Sequence, residues 1–464
     1  MGVLRWGIVM LAVVAATGCG TFQARPIVPR EVLQDLQRVR LDALRPVEGR
    51  GPTPGPPAAF DLADGVSADE AVAVALFLNP DIRAFRKERG VAEGELIAAR
   101  LLPNPELQLT WLHIENFTKS LATSGFDVGL SWAPPRPGER AAKAARARAR
   151  IEEVRAQIAD EEWRLAADVR KAHAALWAAL ERLRLARASL QLQERVRKFL
   201  RDKRDLGDAS RLEVNLLELE YVERLRERET IQNEQQKARL ELNRLLGLPP
   251  LVEVPLQGTS DVLAYRPFVL KPAALEAVLI ERRPDVAVAR QDYEKGQQDL
   301  RLAYIQRIPW FRFGPAYERD GGPGEGSINK LGFGFSFEIP LSNLNQGEIT
   351  RLEAAREKLR ELFVARVHLA RAEVNEAYRN LQGQERLVRL FQDVIRPALE
   401  ESEQLTDAAV AVGDVNVLQF VTAQDKVLRS RRDFLDAQLE YWKAVFDLER
   451  ALGARLPEVE GREE

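Results

Sequence analysis

Little in this 464-residue chain can carry redox or metal chemistry. It has one cysteine, Cys19, so no disulfide can form within it. Its three histidines, His113, His173 and His368, fall on separate segments, and no His-Glu-x-x-His motif or cysteine pair is present. No catalytic constellation, metal site or cofactor is therefore expected, and the chain does not read as an enzyme. Long apolar runs are missing too. No stretch reaches the about 20 apolar residues that a membrane-spanning helix needs, the N-terminal run of about a dozen included. Charge of one sign is also absent, with 68 basic against 70 acidic residues and a net charge of −2, which excludes a nucleic-acid footprint. The cluster Arg136, Arg140, Lys143, Arg146, Arg148 and Arg150 reads as the solvated face of a helix. Gly321-Gly322-Pro323-Gly324-Glu325-Gly326 joins two strand patterns and opens no helix, so it reads as a surface loop and not as a phosphate cradle.

What is present begins with an export signal over residues 1–18. Arg5 gives the positive start, Trp6 to Thr17 the short apolar run, and Gly18-Cys19 a small-residue cleavage site. Ala16-Thr17-Gly18 before the lone Cys19 resembles the bacterial lipoprotein processing box. That resemblance implies lipidation of Cys19, and Gly20 after it implies delivery to the outer membrane. Residues 19–66 carry Pro26, Pro29, Pro46, Pro52, Pro54, Pro56 and Pro57 and read as an extended tether.

The rest of the chain says one thing twice. Asn79-Pro80-Asp81 returns as Arg283-Pro284-Asp285, and Asn104-Pro105 as Ile308-Pro309, each about 204 residues later. Phe126 to Trp132 returns as Leu331 to Phe337 after about 205, and Leu206-Gly207-Asp208 as Val412-Gly413-Asp414 after about 206. Leu246-Gly247 returns as Leu452-Gly453 at the same spacing. One copy spans 67–248, a proline-marked joint 249–272, the second copy 273–456, and a charged tail 457–464.

Each copy reads as a helix, a strand pair and a very long helical hairpin. Ser67 with Glu70 forms a capping box for a helix running to about Leu102, mirrored by a helix over 273–307. The strand pairs occupy 106–133 and 310–340, with the second pair at about 310–319 and 330–340. The helical hairpins occupy 139–246 and 346–452, and Pro397 should kink the second. A helix from Glu139 to about Asp205 would be roughly 100 Å long. In the strands every second residue is large and apolar: Leu107, Leu109, Trp111; Phe126, Val128, Leu130, Trp132; Phe311, Phe313; and Phe333, Phe335, Phe337. Residues between them are small or polar. Such period-two alternation over about ten residues fits a strand with lipid on one side and water on the other. Four strands cannot close a barrel, and open edges are not viable in lipid, so several copies must pool their strands. Three copies would supply twelve.

At this point the sequence resembles the TolC-type outer-membrane efflux family over essentially the whole mature chain. Leu102-Pro103-Asn104-Pro105-Glu106-Leu107, Arg307-Ile308-Pro309, Asn345-Gln346-Gly347-Glu348-Ile349 and the glycine turns at Gly207 and Gly413 carry the resemblance. The wording Pro-Asn-Pro-Glu-Leu and Asn-Gln-Gly-Glu-Ile resembles the cobalt–zinc–cadmium resistance branch, which works with resistance-nodulation-division pumps. The resemblance implies a mainly α fold with a membrane β portion. Duplicated long helical hairpins would form a trimeric α-barrel, continued by a 12-stranded trimeric outer-membrane β-barrel. It further implies passive export, possible heavy-metal cargo, and partnership with a periplasmic adaptor and an inner-membrane pump. The adaptor would dock at Leu206, Gly207, Asp208, Val412, Gly413 and Asp414. Well-studied members ring the pore entrance with acidic residues six and nine positions after the second turn glycine and an arginine two after it. Here those places hold Gln419, Thr422 and Val415, so such a gate is not implied; Glu213, Gln419 and Thr422 are the candidate tip or pore lining, and Glu213 with Asp208 and Asp414 reads either as a negative lining that attracts cations or as solvated tip charges. The alternative reading is a lipid-anchored coiled-coil structural or adhesive envelope protein without a pore. It leaves the alternating strands unexplained.

Overall fold

Two prolines cut what read as single helices. In the computed structural model, helix α2 (Ala68–Leu78) ends before Pro80 and α3 (Pro80–Arg100) starts on it. In the second copy α6 (Pro272–Arg282) and α7 (Pro284–Gln306) divide at Pro284. A proline ring forces the residue before it out of helical geometry, and Asn79 and Arg283 accordingly sit at ψ 122° and 119°. The continuous helices expected over 67–102 and 273–307 are thus corrected to helix pairs. Asn79 turns the break into a start signal, because its Oδ1 accepts from the amides of Asp81 (2.9 Å) and Ile82 (3.3 Å). The Ser67–Glu70 capping box is present, with the Ser67 amide donating to Glu70 Oε2 at 2.8 Å.

The structure describes residues 23–39, 65–116, 121–205, 210–258, 262–322, 325–412 and 417–456. They fall into two units. Within residues 1–44 the described element is α1 (Pro29–Gln37), which buries no residue. The unit 45–464 holds everything else. Residues 1–18 and Cys19 lie outside the described residues, as does most of the tether. The tether's last two residues do not hang free. Gly65 and Val66 are buried, with Val66 bridged to Leu256 and its carbonyl facing His173 Nε2 at 2.9 Å.

Strands β1 (Glu106–Asn116), β2 (Leu121–Ser131), β3 (Phe311–Gly322) and β4 (Glu325–Phe337) form one antiparallel sheet in sequence order. The last two strands are longer than expected at their connection, and β4 stops short of Pro340, which has no amide to extend the ladder. Below the strands run α4 (Glu139–Asp205, 67 residues) and α5 (Arg211–Leu246), and in the second copy α8 (Gln346–Leu390), α9 (Arg396–Val412) and α10 (Val417–Leu452). Pro397 is accommodated by a π-turn, Phe391–Ile395, that closes with the Arg396 amide on the Phe391 carbonyl. Widening the turn just before a residue that lacks an amide lets the second long helix continue past it.

The copies repeat each other's packing as well as their wording. Ala92 of α3 packs on Val154 of α4, and at the matching place an added Cβ on Gly296 of α7 would meet Leu359 of α8. Gly247 and Gly453 cap the return helices at φ 72° and 70°. A Cβ on either would lie 2.8 Å from a backbone carbonyl, Leu78 or Arg282, so the repeated Leu-Gly is a glycine requirement twice over. Asn79 Nδ2 donates to the Leu245 carbonyl (2.9 Å), and Arg283 Nη1 to the matching Ala451 carbonyl (3.0 Å).

Candidate functional site

Antiparallel register sorts the strand residues onto faces. Leu107, Leu109 and Trp111 stand opposite Leu130, Val128 and Phe126. Phe311 and Phe313 stand opposite Phe337 and Phe335, Phe333 lies across from Pro315, and Trp132 bridges to Phe313. Residues directly opposite share a face, so all twelve apolar strand positions named from the sequence lie on one side of the sheet. Aromatic contacts run along it: Trp111 on Phe126 edge to face (6.2 Å), and Phe313 stacked on Phe333 (5.9 Å). Among the described residues this face stands open; Trp111 is 71% exposed, Phe333 68% and Leu331 84%.

The opposite face is polar. Arg312 pairs with Glu106 at 2.6 Å, and Lys330 reaches Asp320 (2.7 Å) and Glu318 (3.4 Å). Asp127 stands opposite Glu318 across the β2–β3 joint. Glycines fill the gaps, and at Gly314 a side chain would overlap the Leu130 carbonyl of the neighbouring strand. Where strands meet helices, indole amides anchor the sheet: Trp132 Nε1 donates to the Pro103 carbonyl (2.9 Å) and Trp310 Nε1 to that of Pro134. Arg136 lies over the Trp310 ring at 5.8 Å and donates to the Ile308 carbonyl at 2.8 Å.

Of the tip positions, Leu206, Gly207, Asp208, Gly413 and Asp414 lie outside the described residues, and so does Val415. Val412 closes α9, and Gln419 falls in the first turn of α10. Glu213 opens α5, and its carboxylate accepts from the Ser210 amide at 2.8 Å, while Ser210 Oγ accepts from the Glu213 amide at 3.1 Å. That amide holds the carboxyl below its usual range. Ser-x-x-Glu is a capping box the sequence reading passed over. Thr422 lines a cleft of about 670 Å³ with Glu220, Arg224, Asp425 and Arg429. Here the copies are tied together, because Arg224 of α5 binds Asp425 of α10 and Arg432 of α10 binds Glu227 of α5.

Two further charge clusters went unread. Arg283 is buried, binds both oxygens of Asp285 (2.7 and 2.9 Å) and reaches Glu373, while Arg366 approaches Asp285 at 3.3 Å. They line a polar cleft of about 470 Å³ between α4, α7, α8 and α10, in which burial and the Asp285 charge raise the Asp160 carboxyl. Nearby, Arg170 meets Asp69 (3.2 Å) and Glu449, whose carboxyl burial lifts above the usual range despite Arg455 and Arg170. His173 is buried, which disfavours its charged form, and His368 is exposed; the His113 side chain lies outside the described residues. Among the described residues no cluster of three or more histidine, cysteine or acidic side chains could hold a metal, and no helix is long and apolar enough to cross a membrane.

The architecture has known relatives. The family model of outer membrane efflux proteins matches residues 277–454. The cobalt-zinc-cadmium resistance protein CzcC of Cupriavidus metallidurans is 23% identical over 394 residues, covering 85% of this chain and 91% of that protein. A membrane protein from Pseudomonas aeruginosa superposes with a TM-score of 0.68 at 20% identity, covering 86% of this chain and 93% of its own. CusC, studied for transmembrane channel formation, gives a TM-score of 0.68 at 18% identity over 84% of this chain and 93% of its own. An apolar-faced sheet of four strands set on duplicated hairpins of long helices is thus a fold this chain shares with these proteins over most of its length, and the outer membrane efflux model matches its second copy.

Proposed function

We propose that three copies of this chain form the passive exit duct of a tripartite efflux system, fed by a periplasmic adaptor and an inner-membrane pump. One observation carries the reading: the sheet exposes a broad apolar face and leaves β1 and β4 unpaired at its edges. An open edge is not viable in lipid, so the sheet must close with further copies, and three give a twelve-stranded barrel. The apolar face then meets lipid and the polar face lines water. The helices continue the duct into the periplasm.

Cys19 is the proposed lipid anchor, freed by removal of residues 1–18, and the tether of residues 19–66 links it to the body. The tips at Leu206, Gly207, Asp208, Val412, Gly413 and Asp414 are the proposed adaptor docking site, with Glu213, Gln419 and Thr422 behind them at the mouth. Divalent metal cations are the proposed cargo. Support comes from the name of the CzcC relative and from the inner sheet face, where Glu106, Asp127, Glu318 and Asp320 outnumber Arg312 and Lys330. A wall of net negative charge raises the local concentration of cations.

Photo-crosslinking in living cells tests the docking and the partnership together. With the probe at Asp208 or Asp414, mass spectrometry is expected to recover a periplasmic adaptor, and the pump encoded with it identifies the cargo class. Recovery of unrelated envelope proteins alone would contradict the docking assignment.

A further inference from the structure

Helix α1 is amphipathic, short and uncovered. Pro29 starts it, and of its nine residues none is buried. Isolated helices shorter than about 12–15 residues are marginal in water, so a partner must cover this one. The order of residues says which face is covered. Val32, Leu33 and Leu36 fall within about 100° of arc at 3.6 residues per turn, while Glu31, Gln34 and Asp35 point the other way. Ile27 and Val28 add apolar surface just before the first turn, and Ile27 is 84% and Leu33 57% exposed. On the polar side Arg38 pairs with Asp35 at 3.8 Å.

We propose that α1 lies flat in the phospholipid surface of the membrane that holds the barrel, with Val32, Leu33 and Leu36 among the acyl chains and Arg30 and Arg38 at headgroup level. The inference rests on the duct reading and its lipid anchor, and adds a second membrane contact to them. Charge suits such a surface. From Gly20 to Arg40 the chain carries Arg25, Arg30, Arg38 and Arg40 against Glu31 and Asp35, and anionic headgroups attract the excess. Arg30 flanks the apolar arc, where its stem can cross the acyl boundary while the guanidinium stays among phosphates.

Chain length permits the placement at both ends. From Cys19 to Pro29 is 10 residues, at most about 35 Å of chain, so a lipid on Cys19 keeps α1 close to the bilayer. From Gln37 to the buried Val66 is 29 residues, at most about 95 Å. Val66 meets His173, which lies 34 residues, or about 51 Å, along α4 from its start at Glu139 below the strands. The chain after α1 is therefore long enough for Val66 to be held in the helical body while α1 stays at the bilayer.

The test uses the full-length protein in vesicles of phosphatidylethanolamine and phosphatidylglycerol, with an environment-sensitive fluorophore on Leu33→Cys or on Glu31→Cys. Both side chains are exposed, so neither substitution disturbs a core. The parent protein, carried through the same labelling, corrects for dye on Cys19. The expected result is blue-shifted emission from position 33, most of it lost when doxyl-labelled phospholipid is included, and water-like, unquenched emission from position 31. A blue shift at position 33 without quenching would mean that protein covers this face and would overturn the lipid assignment. Water-like emission at both positions would overturn it as well. Intact mass of the same sample reads the lipid on Cys19, and bilayer conductance reads the duct. A lipid-carrying, conducting protein with position 33 unquenched would sink this inference alone.

Discussion

Phe333→Arg is expected to remove the protein from the outer membrane, whereas Gly332→Arg, one residue away, is expected to leave it assembled. Phe333 stands on the apolar face near the middle of the strand, stacked on Phe313 and 68% exposed in the single chain. An arginine at the bilayer midplane of a β-barrel costs about 2–4 kcal/mol per site. Three copies carry it together, and at about 1.4 kcal/mol per factor of ten the assembled fraction should fall at least tenfold. Gly332 points to the polar face, where an added Cβ meets nothing within 4 Å. Quantifying both variants in isolated outer membranes decides the matter. Equal tolerance of the two substitutions would mean that the apolar face does not meet lipid.

Arg283→Met should lower the stability of the helical body by about 3 kcal/mol, the lower end of what breaking a buried ion pair costs. Asp285 is 9% exposed at its side chain and would keep only Arg366, while the carbonyls of Ala370 and Ala451 would lose a donor. Burial works against the Arg283 charge, but Asp285 and Glu373 hold the guanidinium more firmly protonated than usual. The loss should therefore come from the uncompensated carboxylate. Adding Asp285→Asn to Arg283→Met should recover part of it, because the neutral amide carries no buried charge. Thermal unfolding in detergent reads both steps, and a double variant no more stable than the single one would refute the assignment to Asp285.

The sheet was legible because period-two alternation writes the faces of a strand straight into the order of residues. Once Leu107, Leu109 and Trp111 alternate with polar neighbours, pairing has little choice but to align them with Leu130, Val128 and Phe126. The duplication was legible for a similar reason, since glycine at 247 and 453 answers a backbone demand that any equivalent helix end repeats. The breaks at Asn79 and Arg283 were readable in principle. Proline favours the first turn of a helix, and Pro80 and Pro284 were counted as landmarks without being used as start signals. The ion clusters had no local sign. Arg224 and Asp425 are 201 residues apart, and only the packing of α5 near α10 makes them partners. Asn79 and Arg283 show the limit of repeat reading itself, since different side chains satisfy the same carbonyl in the two copies.

The central claim is that this sheet closes into a water-filled path across a membrane, and electrical recording from the purified full-length protein in a planar lipid bilayer tests it most directly. The account predicts discrete, stepwise conductance increments, with a reversal potential under a salt gradient that favours cations over anions. Folded, membrane-inserted protein that leaves the bilayer electrically silent would contradict it.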